Sequence, residues 1–365
     1  MGNLGRWARV AVAIALGATF ALTGTSHAAA SLTPRQLAGQ RVIYSYPGLT
    51  PPQSLLDRIK AGEAAGVIFF GENIQSTQQI AGVIAQLNAA NAESPVKQPL
   101  LLMTDQEGGK VRRLPGEPTL SEKQIGQSAD PVAAAAQAGT GAARNLESAG
   151  MNVNLAPVLD VYREAGDFDD QYGRSYSKDP AVAGELGKAF ITAQQQAGVA
   201  AAAKHFPGLG SAAKDQNTDE TPVTLNAPLQ ELRDVDEAPY PTAMSAGVKL
   251  VMVSWATYPA LDSAHPAGLS SQVVRQELRA RLGFQGVTVT DALEAGSLQA
   301  YGGTGQRAVA AAAAGMDLIL CSARDAAQGD DAADAMVNAL QAGQLDQADF
   351  TAAADRVSAL RGSLG

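Results

Sequence analysis

The stretch Gly198-Val199-Ala200-Ala201-Ala202-Ala203-Lys204-His205-Phe206-Pro207-Gly208 decides how this chain folds. It follows a helical pattern over residues 180–195, stops that helix at a glycine and runs as an apolar strand over 199–205. A lysine and a histidine stand where the strand ends. The same unit recurs on both sides. Strands are expected over 42–46, 67–70, 100–105, 151–160, 199–205, 250–255, 287–291 and 318–321. Helical patterns separate them near 52–64, 76–91, 131–148, 180–195, 228–246, 271–281 and 305–314, with more helix from 326 onward. Gly66, Gly150, Gly198, Gly247 and Gly315 each fall between a helix and the next strand. Eight alternations predict an α/β fold, a single-domain (β/α)8 barrel of TIM type, with a doubly wound open sheet as the alternative.

Such a barrel collects its chemistry at the carboxyl ends of its strands. Polar residues gather there: Asp105-Gln106-Glu107, Asp160, Lys204-His205, Ser254-Trp255 and Asp291. Carboxylates accept from sugar hydroxyls and Lys, His and Arg side chains donate to them, so the mouth suits a polyhydroxylated ligand.

Composition narrows the classes. The 365 residues are 46% hydrophobic and 17% charged, enough to bury a large core. A formal charge of −9 gives no footprint for nucleic acid or anionic lipid. One cysteine excludes a disulfide framework, and three histidines leave little for a histidine metal site, so no metal or cofactor is expected. Cys321, after Leu318-Ile319-Leu320, reads as a small core residue. Gly302-Gly303-Thr304-Gly305-Gln306-Arg307 lacks the ending of a phosphate loop, and Gly139-Thr140-Gly141 lies within a helical pattern. No Gly-x-Ser-x-Gly elbow occurs.

Residues 1–30 read as a secretory signal: Arg6 and Arg9 precede an apolar run over 10–22, and Ser26-His27-Ala28 has the small-x-small pattern of a cleavage site. A membrane anchor is the alternative, but the run is short for a span. The expected product is a secreted domain over 31–365, with cell-wall association in view and no membrane contact once the signal is removed. No obligatory protein partner is evident.

The blocks Asp105-Gln106-Glu107-Gly108-Gly109-Lys110-Val111-Arg112-Arg113-Leu114, Leu155-Ala156-Pro157-Val158-Leu159-Asp160-Val161, Gly173-Arg174-Ser175-Tyr176, Lys204-His205-Phe206-Pro207-Gly208 and Gly286-Val287-Thr288-Val289-Thr290-Asp291 occur in that order. Together they resemble glycoside hydrolase family 3, most closely its single-domain β-N-acetylhexosaminidase branch. The resemblance implies a retaining mechanism on a saccharide, with Asp291 at the nucleophile position. Asp105, Arg113, Arg174, Lys204 and His205 match the sugar-binding positions. Each has a plainer reading: Asp291 as a helix cap, Arg174 as a bridge to the loop 167–170, Arg113 as a solvated charge, His205 as a core histidine. Trp255 reads equally as a sugar platform or a core residue.

One block departs from the pattern. This branch carries Asp-Ser-His after the fifth strand, its His serving as acid/base, whereas the matching tripeptide here is Asp215-Gln216-Asn217. Larger members draw a Glu from a second domain, for which a sequence ending at Gly365 leaves no room. The same loop supplies Asp215, Asp219 and Glu220. Near an ionised Asp291 one of them would have its pKa raised enough to donate a proton near neutrality, and Asp219 is favoured over Asp215. Alternatively these charges only solvate the loop, and the site works on activated leaving groups alone. The leading expectation is a secreted retaining β-glycosidase acting on N-acetylglucosamine-containing saccharides. The alternatives are a catalytically impaired sugar-binding protein, a β-glucosidase-type specificity, and a Schiff-base lyase built on Lys204.

Overall fold

The computed structural model describes residues 1–2 and 32–364. Residues 3–30 of the expected signal segment therefore lie outside the described residues. Eight parallel strands run through the chain: β1 (Val42–Tyr44), β2 (Gly66–Ile68), β3 (Leu101–Thr104), β4 (Val153–Asn154), β5 (Ala200–Phe206), β6 (Leu250–Val253), β7 (Val287–Thr290) and β8 (Ile319–Leu320). Each pairs with its sequence neighbours, and β1 pairs with β8. The ring closes between β7 and β8, where Val289 bridges to Leu318 and the Thr290 amide donates to the Leu318 carbonyl at 3.0 Å. This is the (β/α)8 barrel, not the open sheet.

Strand parity organises the core. Ile43, Leu101, Met103, Val153, Leu155, Ala200, Ala202, Leu250, Met252, Val287, Val289, Leu318 and Leu320 form one buried cluster inside the ring. The alternate residues, among them Val42, Tyr44, Leu102, Ala201, Ala203, Val251, Val253 and Ile319, pack in a second cluster with the surrounding helices. The four alanines of β5 thus serve both faces. The inward set, continued two residues at a time past each strand end, reaches Phe70, Asp105, Glu107, Lys204, Asp291 and Ser322.

Helices form where capping signals start and stop them. Asp130 and Asp179 accept from the Ala133 and Ala181 amides, each just ahead of a proline in the first turn, and open helices Pro131–Ala149 and Pro180–Gln196. Gly150 ends the first at φ 87°. These two helices pack so closely that a Cβ on Gly139 would lie 2.3 Å from the Phe190 carbonyl oxygen. Gly139 is a packing residue inside a helix, in keeping with its exclusion as a phosphate loop.

Two expectations change. The helix expected over 228–246 is three short pieces, Leu229–Glu231, Leu232–Asp236 and Pro239–Ser245. The first two run on without a gap, the second as a π-helical turn, and the break comes before Pro239, which like Pro241 has no amide to donate. The strand expected over 151–160 narrows to Val153–Asn154, because Pro157 interrupts the ladder; a bridge between Val158 and Lys204 resumes it. Among the described residues, no helix is long and apolar enough to cross a membrane.

Candidate active site

A cavity of about 510 Å³ opens at the carboxyl ends of the strands. Asp105, Arg113, Arg174, Lys204, His205, Asp219 and Asp291 all line it. Asp215 does not: it is solvent-exposed outside the cavity. Trp255 is buried and donates to the Ala292 carbonyl at 2.8 Å, so it supports the segment after β7 and offers no face to a sugar.

The wall made by β3 to β5 is a paired network. Lys204, carried inward by strand parity, places its Nζ 2.8 Å from Asp105 Oδ1 and 2.7 Å from Glu107 Oε1. Arg174 donates through Nε to Glu107 Oε2 at 2.8 Å and through Nη2 to Glu107 Oε1 at 2.9 Å. It also donates through Nη1 to Asp169 Oδ1 at 2.8 Å, so the bridge to the loop 167–170 and the pocket role belong to one residue. Burial opposes ionisation of Glu107, but Arg174 and Lys204 outweigh it and hold the carboxyl at about 2. Asp105 lies below its ordinary range in the same way, with Lys204 and Arg113 overcoming burial. Lys204 is raised, as its two carboxylates overcome desolvation.

His205 breaks parity. A register shift between Ala203 and Phe206 turns it to the cavity, although an even ladder would send it outward. Its Nδ1 lies 2.7 Å from Asp160 Oδ2. Asp160 also accepts from the Leu209 amide at 2.6 Å and the His205 amide at 3.3 Å. Burial would lower the imidazole pKa, but the Asp160 charge raises it. Asp169, pushed up to about 7 by burial against the pull of Arg174, stands beside this pair. Asp160, Asp169 and His205 each bring one ligand-type atom within 4.8 Å of the others. His205 is held by Asp160 and Asp169 by Arg174, no hydrogen bond joins Asp169 to the other two, and Asp169 Oδ2 is buried without a partner.

Asp291 stands at the end of β7 with its Oδ1 accepting from the Ala292 amide at 2.7 Å. The loop bearing Asp219 is fastened beside it by two backbone bonds: Gly296 N to Asp219 O at 2.7 Å and Ser297 N to Thr218 O at 3.1 Å. A Cβ on Gly296 would lie 2.1 Å from the Glu220 carbonyl oxygen, so only glycine permits this approach. Asn217 holds the turn: its Oδ1 accepts from the Asp219 amide at 3.0 Å and its Nδ2 donates to Glu220 Oε1 at 3.1 Å. The Asp219 side chain reaches solvent through the pocket mouth. Desolvation by the pocket wall and then the charge of Asp291 push it up to about 6.

Several lining residues escaped the reading of the sequence as functional. Glu107 was legible as the inward neighbour of Asp105 two positions on. Glu294, Ser322, Phe70 and Arg324 line the cavity on the β7, β8 and β2 side. Arg324 has the one positive φ, 58°, among the described non-glycine residues, and its guanidinium stacks over Phe70 at 4.7 Å.

Residues 36–360 match the family described as glycosyl hydrolase family 3 N terminal domain. An uncharacterized secreted glycosyl hydrolase of Arthroderma benhamiae is 47% identical over 329 residues, which are 90% of this chain and 93% of that protein. Beta-hexosaminidase A of Pseudoalteromonas piscicida is 33% identical over 290 residues, 74% of this chain but 48% of that protein. Among solved structures, a family 3 β-N-acetylglucosaminidase from Paenibacillus superposes with a TM-score of 0.85 at 32% identity, over 92% of this chain and 63% of that one. A β-N-acetylhexosaminidase from Beutenbergia cavernae superposes with a TM-score of 0.83 at 32% identity, over 91% and 99%. The chain thus spans about half of the Pseudoalteromonas protein and just under two thirds of the Paenibacillus chain. A closed eight-stranded barrel, a carboxylate at the end of its seventh strand and these matches lead to one conclusion: this chain belongs to glycoside hydrolase family 3.

Proposed function

We propose that the chain is a secreted retaining β-N-acetylhexosaminidase acting on N-acetylglucosamine-containing saccharides, with residues 1–30 as its signal and 31–365 as its barrel domain. The observation that carries the reading is the meeting of Asp291 and Asp219 in one cavity, the latter with a carboxyl held at about 6. In this mechanism the Asp291 carboxylate attacks the anomeric carbon while Asp219 protonates the departing oxygen, giving a glycosyl-enzyme and the free alcohol. Asp219, now ionised, then takes a proton from water as that water displaces Asp291. Asp105, Lys204, Arg174, Arg113 and His205 hold the sugar hydroxyls. The substrate class is taken from the hexosaminidase relatives.

The test is labelling with a mechanism-based fluorosugar followed by peptide mapping. The expected result is covalent modification of Asp291 and no turnover by Asp291→Asn; modification at another residue overturns the assignment. A second reading draws on Asn217, which stands where the branch has its acid/base His: a sugar-binding protein without hydrolysis. Calorimetric binding of N-acetylglucosamine with no cleavage even of aryl glycosides would favour it.

A further inference from the structure

Stacking a sugar takes an aromatic face that is open, fixed and close to the departing bond. Trp255 is buried, and the Arg324 guanidinium lies over Phe70. Tyr172 differs from both. It is the one exposed aromatic side chain among the described residues, at 43%, and it lines the cavity together with half-buried Phe168. The two rings meet edge to face, their centroids 5.8 Å apart and their planes at 77°. The mount is rigid. Tyr172 closes the short turn Asp170–Tyr172, which Gly173 ends at φ 74°. Asp170 is buried and accepts from Lys123 Nζ at 2.7 Å and from the Gly166 amide at 2.7 Å, while Asp169 just before it holds Arg174. The turn that fixes Arg174 in the pocket thus also fixes Tyr172 at its rim.

The position of this ring pair follows from the two carboxyls. In a retaining reaction the leaving group departs from the face of the sugar opposite the nucleophile, and so away from Asp291 and the end of β7. In ring order β7 lies opposite β3, with β4 next to it. The β3 side is occupied by Asp105 and Glu107 with their cations, the groups that hold the glycosyl unit. The loop after β4 carries Phe168 and Tyr172, and it is bonded to the segment that bears the proton donor. The Phe168 amide donates to the Ala212 carbonyl at 3.0 Å, and Gln171 Nε2 to the Lys214 carbonyl at 2.8 Å. From these bonds the segment continues to Asp219 and its own bond to Gly296 after β7. A leaving group that takes its proton from Asp219 and moves away from Asp291 therefore meets the aromatic pair. We propose that Tyr172, braced by Phe168, is the platform for the leaving-group sugar, stacking on the apolar face of a pyranose, so that the pocket favours saccharides with a sugar ring on both sides of the cleaved bond. This inference rests on the glycosidase reading above and names the binding site of its leaving group.

The experiment measures kcat/KM for N,N′-diacetylchitobiose and for trifluoroethyl β-N-acetylglucosaminide, whose leaving alcohol has an acidity close to that of a sugar hydroxyl but no ring. It uses the full chain and its Tyr172→Ala and Tyr172→Phe variants. The ratio of the first value to the second should fall about tenfold in Tyr172→Ala, the scale of one aromatic contact. In Tyr172→Phe, which keeps the ring and drops the hydroxyl, the ratio should stay within about twofold of that of the unaltered protein. A displaced Arg174 or general damage to the fold acts on the glycosyl unit that both substrates share, and cancels in the ratio. A ratio that Tyr172→Ala leaves unchanged, or that falls as far in Tyr172→Phe, overturns the inference. Nitrophenyl β-N-acetylglucosaminide separates the two claims: its cleavage together with an unmoved ratio removes only the platform, while no cleavage of any of the three compounds removes the glycosidase reading and the platform with it.

Discussion

Replacing Asp219 by Ala is the sharpest test of how this pocket works without the histidine of its branch. An aspartate at its ordinary value of 3.8 would be almost entirely ionised at pH 7, with about 0.06% of molecules able to donate. Held at about 6, it is protonated in about 9% of molecules, a gain of about 140-fold in the competent form. The sign follows from the role. The donor must carry its proton, so kcat/KM for natural saccharides should fall as pH rises through about 6, and Asp219→Ala should erase that alkaline limb. A positioned acid contributes about 10²–10⁴-fold, equivalent to about 3–5 kcal/mol of barrier. The disaccharide N,N′-diacetylchitobiose should lose that much in kcat/KM. A nitrophenyl β-N-acetylglucosaminide, whose leaving group departs unprotonated, should lose less than about tenfold. Steady-state kinetics on both substrates from pH 4 to 9 reads the difference. Equal losses on the two substrates, or an alkaline limb unchanged in the variant, would refute Asp219 as the acid.

Three further outcomes follow from the packing. Glu107→Gln leaves Lys204 and Arg174 without the charge that joins them, so it should destabilise the fold by about 3–5 kcal/mol and raise KM more than it lowers kcat; a Tm and KM equal to those of the unaltered protein would count against the network. Gly296→Ala puts a methyl group where the Glu220 carbonyl sits, forcing the Asp219 loop away, so kcat on the disaccharide should drop at least about tenfold while nitrophenyl hydrolysis holds within about threefold, and parallel losses would contradict that account. Asp169 and Asp236 are both raised to about 7, mainly by burial, so the folded state binds more protons than the unfolded chain between about pH 4 and 7. Their contribution is fully present below about pH 4 and is lost as pH rises through about 7; calorimetry should show a higher Tm at pH 5 than at pH 8, shrinking in Asp236→Asn, and a rise in Tm over that range would refute it.

Much of the site could be read without coordinates because a parallel strand exposes its chemistry by parity. Ala200 and Ala202 point inward, so Lys204 must as well; Leu101 and Met103 do the same for Asp105, and Val287 and Val289 for Asp291. The alternation of apolar runs with capped helices was enough to set the barrel and the end of it that carries the pocket. Glu107 obeyed the same rule and was passed over, because its neighbour Asp105 already accounted for the motif.

Other features depended on distances that no linear pattern encodes. His205 faces the cavity only because the ladder slips one position between Ala203 and Phe206. Asp219 and Asp215 are four residues apart on one loop with similar local chemistry, and backbone bonds to Gly296 and Ser297 bring one into the pocket while the other stays in solvent. Glu294 and Ser322 come from successive strands and meet only when the ring closes. Hydrophobic period and capping chemistry are local, and so the chain spells out its strands, helices and inward faces by itself. Which polar groups share a low-dielectric space, and hence which carboxyl keeps a proton near neutrality, is set by contacts between segments far apart in sequence, and the tertiary fold alone decides it.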